Sequence, residues 1–181
     1  MIEKTQKIIK ELLDSLGEDT TRNGLIETPS RVAKMYKQVL SGYEKDPKDL
    51  FKVFDIDDFD GTVIVGDIRF YSLCEHHMIP FFGKVYIGYV PNNKILGLSK
   101  FARLVELFSQ RLQVQEKLTS QIADSIMEYL KPKGVIVVSH AEHLCMSMRG
   151  VKKPGSITKV IVKRGLFNSD NNLVQEFLSQ I

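Results

Sequence analysis

All the cysteines and histidines of the chain fall in two short windows. The two cysteines and four histidines of this 181-residue sequence occupy residues 74–77 (Cys-Glu-His-His) and residues 140–145 (His-Ala-Glu-His-Leu-Cys). Thiolate and imidazole are the ligands that a borderline-soft ion such as Zn²⁺ prefers. Because nothing in a chain of this length forces such clustering, the pattern favours a metal site that both windows share.

The spacing within the windows suggests a ligand set. Cys74 and His77 are three residues apart, so one tight turn can present both to an ion. A third ligand must come from the other window, and we favour Cys145 because a thiolate binds the ion more strongly than a neutral imidazole does. Three protein ligands leave one position open for water, as in catalytic zinc sites, whereas structural sites usually close with four. We therefore predict one catalytic Zn²⁺ per subunit.

The other histidines are assigned from strand geometry. His143 lies two residues before Cys145, so on a strand the two side chains share a face and His143 lies beside the metal. Its reference pKa of about 6.5 suits general acid–base catalysis. His76 and His77 are adjacent, and adjacent residues on an extended chain point to opposite sides. His140 is expected on the face opposite His143, in a structural role.

Two alternatives without a metal remain open at this stage. Cys74 and Cys145 could form a disulfide, or both could be small buried thiols among histidines of the core. A third alternative, a zinc nucleobase deaminase, is suggested by the His-x-Glu pattern of residues 140–142, but such enzymes need a later Pro-Cys-x-x-Cys. Only one cysteine follows, so that site would lack ligands.

The composition is that of an ordinary globular protein, with 43% hydrophobic and 26% charged residues. The net charge of +3 is too small to indicate nucleic-acid binding by itself. The first residues lack the apolar core of a signal peptide, and no run of about 18 apolar residues could span a bilayer. We therefore expect a cytoplasmic protein that binds neither nucleic acid nor a membrane.

The elements that must position these residues can be read from hydrophobic periodicity. Helical spacing predicts helices near residues 8–16, 28–40, 99–108, 115–130 and 173–181, and β-rich runs predict strands at residues 62–73, 84–90, 135–138 and 157–163. Thr28 and Ser99 are the expected N-caps of two helices. This order predicts an α+β fold with an antiparallel sheet. We divide the chain into an N-terminal helical region with a connection (1–60) and a catalytic domain (61–181) that form one functional unit.

Several polar residues have spacings that could bind an anionic substrate. Those singled out are Arg31, Lys34, Ser99, Lys100, Arg103 and Arg149. Ser99 and Lys100 lie at a predicted helix start, where free N–H groups and the helix dipole favour an anion. Each of these patterns is equally typical of solvated surface residues, so their spacing alone assigns no substrate.

Taken together, several segments closely resemble the GTP cyclohydrolase I family. The segments that carry the resemblance are Glu-Thr-Pro-Ser-Arg-Val-Ala-Lys-Met (27–35), Phe-Tyr-Ser-Leu-Cys-Glu-His-His (70–77), Gly-Leu-Ser-Lys (97–100), Arg-Leu-Gln-Val-Gln-Glu-Lys-Leu-Thr (111–119), His-Leu-Cys-Met (143–146) and Arg-Gly (149–150). They span nearly the whole chain in order. The resemblance implies the tunnelling fold (T-fold), a four-stranded antiparallel sheet with helices on one side. It also implies a toroidal homodecamer with active sites at subunit interfaces.

The resemblance also implies an activity, the conversion of GTP and water to formate and 7,8-dihydroneopterin triphosphate at the start of tetrahydrofolate and pterin biosynthesis. By matching position, the zinc ligands are Cys74, His77 and Cys145, and the proton-transfer pair is His143 and His76. Glu116, which its spacing would not single out, matches the guanine anchor, with Gln115 beside it. The triphosphate and ribose contacts match Arg31, Lys34, Ser99, Lys100, Arg103 and Arg149.

One departure from the family concerns residues 158–162. This strand reads Thr-Lys-Val-Ile-Val, where family members often have a Thr/Ser-rich stretch, so it offers fewer hydroxyl groups to a substrate. Two other functions remain as alternatives. One is another purine- or pterin-converting enzyme of the same fold, and the other is a non-catalytic binding module that zinc stabilises.

Overall fold

A computed structural model describes residues 2–181, and the chain divides into two compact units, of which the first ends at Ser41 and the second is Gly42–Ile181. In the first unit α1 (Ile2–Ser15) packs on α2 (Thr28–Val39). The carbonyl of Glu27 accepts the first helical hydrogen bond, from the backbone N–H of Arg31 at 3.0 Å. Glu27 is therefore the N-cap of α2, and the prediction that Thr28 caps it is wrong by one residue.

The second unit holds the remaining strands and helices. They are β1 (Val53–Asp55), β2 (Val63–Cys74), β3 (Pro80–Val90), β4 (Lys94–Leu96), α3 (Leu98–Ser109), β5 (Leu112–Gln113), α4 (Gln115–Tyr129), β6 (Gly134–His143), α5 (Leu144–Ser147), β7 (Ile157–Gly165) and α6 (Asn171–Leu178), with 3-10 turns at Pro47–Leu50 and Leu166–Asn168. A further 3-10 turn, Ser41–Glu44, begins at the last residue of the first unit. The N-cap of α3 is Gly97 and not the predicted Ser99. The Gly97 carbonyl accepts the first hydrogen bond of the helix, from the Lys100 N–H at 2.8 Å.

Five strands form the main sheet in the order β5-β2-β3-β6-β7. The four long strands pair antiparallel, which confirms the predicted sheet, and the two-residue β5 adds a parallel edge beside β2. In the stretch predicted as a bare connection, β1 pairs with β4. That pairing holds residues 53–55 within the second unit, so the compact units divide earlier than residue 60. The functional division at residue 60 stays a prediction.

The two faces of the sheet carry different packing. Val85, Ile87, Val135 and Val137 alternate toward α3 and α4 and form the larger hydrophobic core. The intervening residues of β6 pack on the opposite face against Phe167 and α6. Helices on one side of the sheet are thus confirmed for α3 and α4, while α6 covers part of the other side.

Close approach between α6 and the sheet depends on one glycine. A Cβ at Gly88 would lie 2.6 Å from a ring carbon of Phe177, which is nearer than van der Waals contact allows. The absence of a side chain at residue 88 therefore lets α6 reach the strand. Among the helices of the described chain, none is long and apolar enough to cross a bilayer.

Candidate metal centre and active site

The sheet itself brings the two metal windows together. Because β2 and β6 both run antiparallel to β3, they point the same way, and their carboxyl ends lie on either side of one β3 residue. Phe81 of β3 pairs with Ser72 on one side and with His143 on the other. On the far side of β2, Cys74 pairs with Gln113 of β5, so α4 begins next to the first window.

The three predicted ligands form a compact cluster. The ligand atoms of Cys74, His77 and Cys145 all lie within 4.8 Å of one another. Bonds of roughly 2.0–2.3 Å to a tetrahedral zinc ion place its ligand atoms roughly 3.5 Å apart. The three side chains therefore need to move only slightly closer together to hold the ion. Both thiols are free, which excludes the disulfide alternative. The donor set of two sulfurs and one imidazole fits Zn²⁺ with one position left open.

Without a cation, the surroundings of Cys145 disfavour its thiolate form. Burial, and then the neighbouring sulfur of Cys74, raises the pKa of Cys145. A divalent cation between the two sulfurs reverses this effect, because it stabilises both thiolates.

The first window is a turn and not a continuation of the strand. The carbonyl of Cys74 accepts hydrogen bonds from the backbone N–H groups of His77 at 3.3 Å and Met78 at 2.7 Å. This tight turn presents Cys74 and His77 together, as the spacing predicted. The expectation of an extended chain at His76 and His77 is wrong, because both residues lie in this turn. Their rings are perpendicular, at 89°, and Nδ1 of His76 lies 3.8 Å from Sγ of Cys74.

In the second window the backbone changes from strand to helix between His143 and Cys145. His143 ends β6, and Cys145 lies in the first turn of α5. Strand alternation therefore does not explain why they lie together, although they line the same cavity. His140 lies on the other face of the sheet against Tyr86, at a ring distance of 5.4 Å, as predicted.

A cavity of about 200 Å³ opens beside the cluster. Its lining includes Cys74, His76, Gln115, Glu116, His143 and Cys145. Predicted metal ligands, proton-transfer residues and guanine contacts thus share one space. Glu116 is an exposed residue in the first turn of α4. It lines this cavity because the pairing of β5 with β2 places the start of α4 beside Cys74.

The His143 imidazole is held against an aromatic ring. It stacks on Phe81 at a ring distance of 4.7 Å and an interplanar angle of 3°. Burial lowers the pKa of His143, and the charge of Glu116 partly opposes that shift. The imidazole is therefore mainly neutral near pH 7, and an imidazole in that state can accept a proton.

The predicted triphosphate and ribose contacts fall into three groups. Nη1 of Arg149 lies 3.1 Å from Nε2 of His77, so Arg149 contacts the metal cluster. Ser99, Lys100 and Arg103 lie on α3, and Arg103 lines a separate cavity of about 400 Å³. Arg31 and Lys34 lie on α2 in the first unit, where Arg31 forms an ion pair with Glu27.

Glu142, whose spacing did not single it out, anchors the segment that follows Cys145. Its Oε1 accepts hydrogen bonds from Ser147 Oγ at 2.7 Å and from the Gly155 N–H at 3.1 Å. These bonds, that of Ser147 first, lower the pKa of Glu142. The carboxylate therefore ties both ends of the segment 147–155, which carries Arg149, to β6. The sequence signal for this role is only that Glu142 lies within the second Cys/His window.

We expect Glu142→Ala to weaken zinc binding by up to about tenfold, because Cys145 is then followed by a less firmly held segment. The segment after Cys145 loses both anchors, while the three ligands remain. Competition with a chromogenic chelator measures the affinity. The control is Glu176→Ala, which removes an exposed acid of α6. Equal zinc affinity in the two variants would contradict the anchoring role.

The sequence is similar to known proteins over nearly its whole length. Residues 5–181 match the family model described as GTP cyclohydrolase I. The GTP cyclohydrolase 1 of Caldanaerobacter subterraneus subsp. tengcongensis is 51% identical over 180 residues, covering 99% of this chain and 96% of the relative. That of Clostridium kluyveri is 52% identical over 167 residues, covering 92% and 90%.

A solved structure supports the fold independently. The archaeosine synthase QueF-Like in its apo form superposes with a TM-score of 0.50 at 18% identity, covering 60% of this chain and 97% of that chain. At that identity the likeness concerns the fold alone, and it agrees with the α+β tunnelling fold predicted above. Because the family model and the relatives cover nearly the whole sequence, the chain belongs to the GTP cyclohydrolase I family.

Proposed function

We propose that this protein converts GTP and water to formate and 7,8-dihydroneopterin triphosphate, the first step of tetrahydrofolate and pterin biosynthesis. The observation that carries the proposal is the Cys74, His77 and Cys145 cluster, which opens on a cavity that His143 and Glu116 also line. An open metal position beside a histidine suits hydrolysis, and a carboxylate in the same cavity suits guanine.

We propose Zn²⁺ as the metal, held by Cys74, His77 and Cys145. When bound, such an ion polarises substrate oxygens and lowers the pKa of water to about 7. The protein's own contribution is a ligand set that leaves one position open, in a cavity shaped by the turn after β2 and the first turn of α5.

His143 is proposed to exchange a proton with the purine ring. Its imidazole is mainly neutral and stacks on Phe81, so the plane of the ring is set before substrate binds. His76 is exposed in the same cavity and is proposed to move protons during the later ring opening and closure. Its exposure in a turn suits a reaction in which several atoms gain or lose protons in succession.

Glu116 is proposed to bind the guanine edge, with Gln115 beside it. A carboxylate can accept both N–H groups of that edge, and such bidentate contacts are stronger than neutral hydrogen bonds. The triphosphate contacts are proposed to be Arg149, Lys100, Arg103, Ser99, Arg31 and Lys34. Holding an uncleaved triphosphate orients the base over the metal, which is a positioning role.

We also propose that the active site is completed by a second subunit, in a homo-oligomer that the resemblance indicates is a toroidal homodecamer. Of the described residues that line the metal cavity, none is Ser99, Lys100 or Arg103. Cations from another copy would then complete the triphosphate site. A cytoplasmic location is proposed as well, because reducing conditions there keep both cysteines available as metal ligands.

One assay tests the reaction. Purified protein loaded with zinc is incubated with GTP, and released formate and pterin fluorescence are measured together with the zinc content. The proposal expects both products in equal amounts. Intact GTP after zinc loading would refute it, and a fluorescent product without formate would indicate a different purine- or pterin-converting reaction of this fold.

A further inference from the structure

The side chain of Gln115 has only one orientation that satisfies its neighbours. Its Nε2 lies 3.1 Å from the carbonyl oxygen of Ser139 and 3.1 Å from that of Thr158. Carbonyl oxygens only accept hydrogen bonds, so the amide NH₂ must point at them. The amide oxygen Oε1 then faces His143, 2.9 Å from its Nε2. In the reverse orientation, Oε1 of Gln115 would face the carbonyl oxygens of Ser139 and Thr158 with no hydrogen atom between them.

Two hydroxyl groups reinforce this orientation. The Thr119 hydroxyl donates to the backbone carbonyl of Gln115 at 2.7 Å, which uses its single proton. Ser139 must therefore donate in the 2.8 Å contact between the two hydroxyl oxygens. The Ser139 oxygen is then free to accept from Gln115 Nε2 at 3.0 Å. All three residues are buried, so each of these protons has a defined place.

This arrangement determines which nitrogen of His143 carries hydrogen. The Oε1 atom of Gln115 can only accept, so Nε2 of His143 must be the donor. That leaves Nδ1 as the nitrogen at which the imidazole gains or loses a proton. Stacking on Phe81 fixes the plane of the ring, and the bond to Gln115 fixes its rotation within that plane.

We propose that Gln115 is a positioning residue that holds His143 as the Nε2–H tautomer, with Thr119 and Ser139 fixing Gln115 in turn. The proposal rests on the proposed function for its catalytic consequence and deepens it, because it assigns proton exchange with the substrate to Nδ1. Guanine recognition then falls to the exposed Glu116, whereas both amide protons of Gln115 are used within the protein.

Kinetics separate positioning from substrate binding. In Gln115→Met, which keeps side-chain length but has no amide, we expect kcat to fall about 100-fold, as misdirected acid–base catalysis predicts. KM for GTP should stay within about threefold, because ground-state binding is unchanged. Thr119→Val should lower kcat in the same direction, and Thr119→Ser, which keeps the hydroxyl, should restore it. Zinc content should remain constant throughout.

A matched control is available two residues earlier. Gln113 is also a fully buried glutamine, and its amide donates to the Phe108 carbonyl at 2.9 Å and to Gln121 at 2.7 Å, without touching His143. Gln113→Met should therefore lower stability but leave kcat within about twofold. A rise in KM with unchanged kcat in Gln115→Met would overturn the proposal in favour of a guanine contact. An equal loss of kcat in Gln113→Met would overturn it in favour of general structural damage.

A spectroscopic measurement tests the tautomer without turnover. Zinc-loaded protein labelled with ¹⁵N-histidine gives two-bond ¹H–¹⁵N correlations that distinguish the two tautomers, and His143→Asn assigns the signal among the four histidines. We expect the Nε2–H pattern alone in the wild type and an added Nδ1–H population in Gln115→Met, because no acceptor then selects one tautomer. An Nδ1–H pattern in the wild type would overturn the proposal. If the Nε2–H pattern is found while GTP stays intact, the positioning contact stands and only the proposed reaction fails.

Discussion

Replacing Cys145 with alanine is expected to abolish formate release from GTP, by at least about 1,000-fold, while the chain stays folded. The change removes one of three metal ligands, and two ligands hold Zn²⁺ too weakly to keep the site loaded. The fold should survive because its larger core lies between the sheet and α3 and α4. Each fully buried aliphatic or aromatic side chain there contributes about 1.5–3 kcal/mol, whereas zinc fingers lack such a core.

Three measurements on the Cys145→Ala protein decide the outcome: zinc per chain by mass spectrometry, secondary structure by circular dichroism, and formate from GTP. His140→Asn is the matched control, because it alters a histidine of the same window on the opposite face of the sheet. It should keep zinc and turnover. Unfolding of Cys145→Ala would instead support a zinc-stabilised binding module, and full zinc content would remove Cys145 from the ligand set.

The cluster of Cys74, His77 and Cys145 could be predicted from the sequence because residue type carries most of the information. Few residue types bind zinc, and here they lie in two windows of which each follows a strand. The sequence did not indicate the backbone conformation of the two windows. The turn that closes on the Cys74 carbonyl and the helical turn at Cys145 both replace the extended geometry assumed for these windows. The three side chains nevertheless lie together, because β2 and β6 run in the same direction and end on either side of β3.

The contacts around His143 were beyond prediction for a different reason. Gln115 meets Ser139 and Thr158 at separations of 24 and 43 residues along the chain. Glutamine, serine and threonine are common residues, and no periodicity identifies which of them will be buried together. Only the β6–β7 register and the packing of α4 on those strands bring them within hydrogen-bond distance.

The fold was predictable where periodicity was long. The four long strands and both core helices have repeated apolar patterns, whereas the two-residue β5 has none. Its consequence is large, because the pairing of Cys74 with Gln113 places the start of α4 at the metal cavity. A strand too short to be recognised therefore determines where Glu116 lies.

Glu116→Ala is expected to lower kcat/KM for GTP by about 1,000-fold or more and to remove the preference for guanine. A site that pairs its polar groups with a substrate's N–H groups discriminates strongly against analogues that lack them. The wild type should therefore prefer GTP to inosine triphosphate, which has no 2-amino group, and the variant should treat the two nucleotides nearly alike. Loss of an acid from the first turn of α4 costs only about 0.3–1 kcal/mol of stability, so the protein should fold.

The zinc content decides whether Glu116 acts on the base or on the metal. Because Glu116 is exposed and is not among the three clustered ligand residues, its removal should leave one zinc per chain. Glu128→Ala removes an exposed acid near the other end of the same helix and should keep both turnover and nucleotide preference. Formate release from GTP and from inosine triphosphate is measured for all three proteins. Loss of zinc from Glu116→Ala, or retained preference for GTP, would show that the carboxylate does not bind guanine.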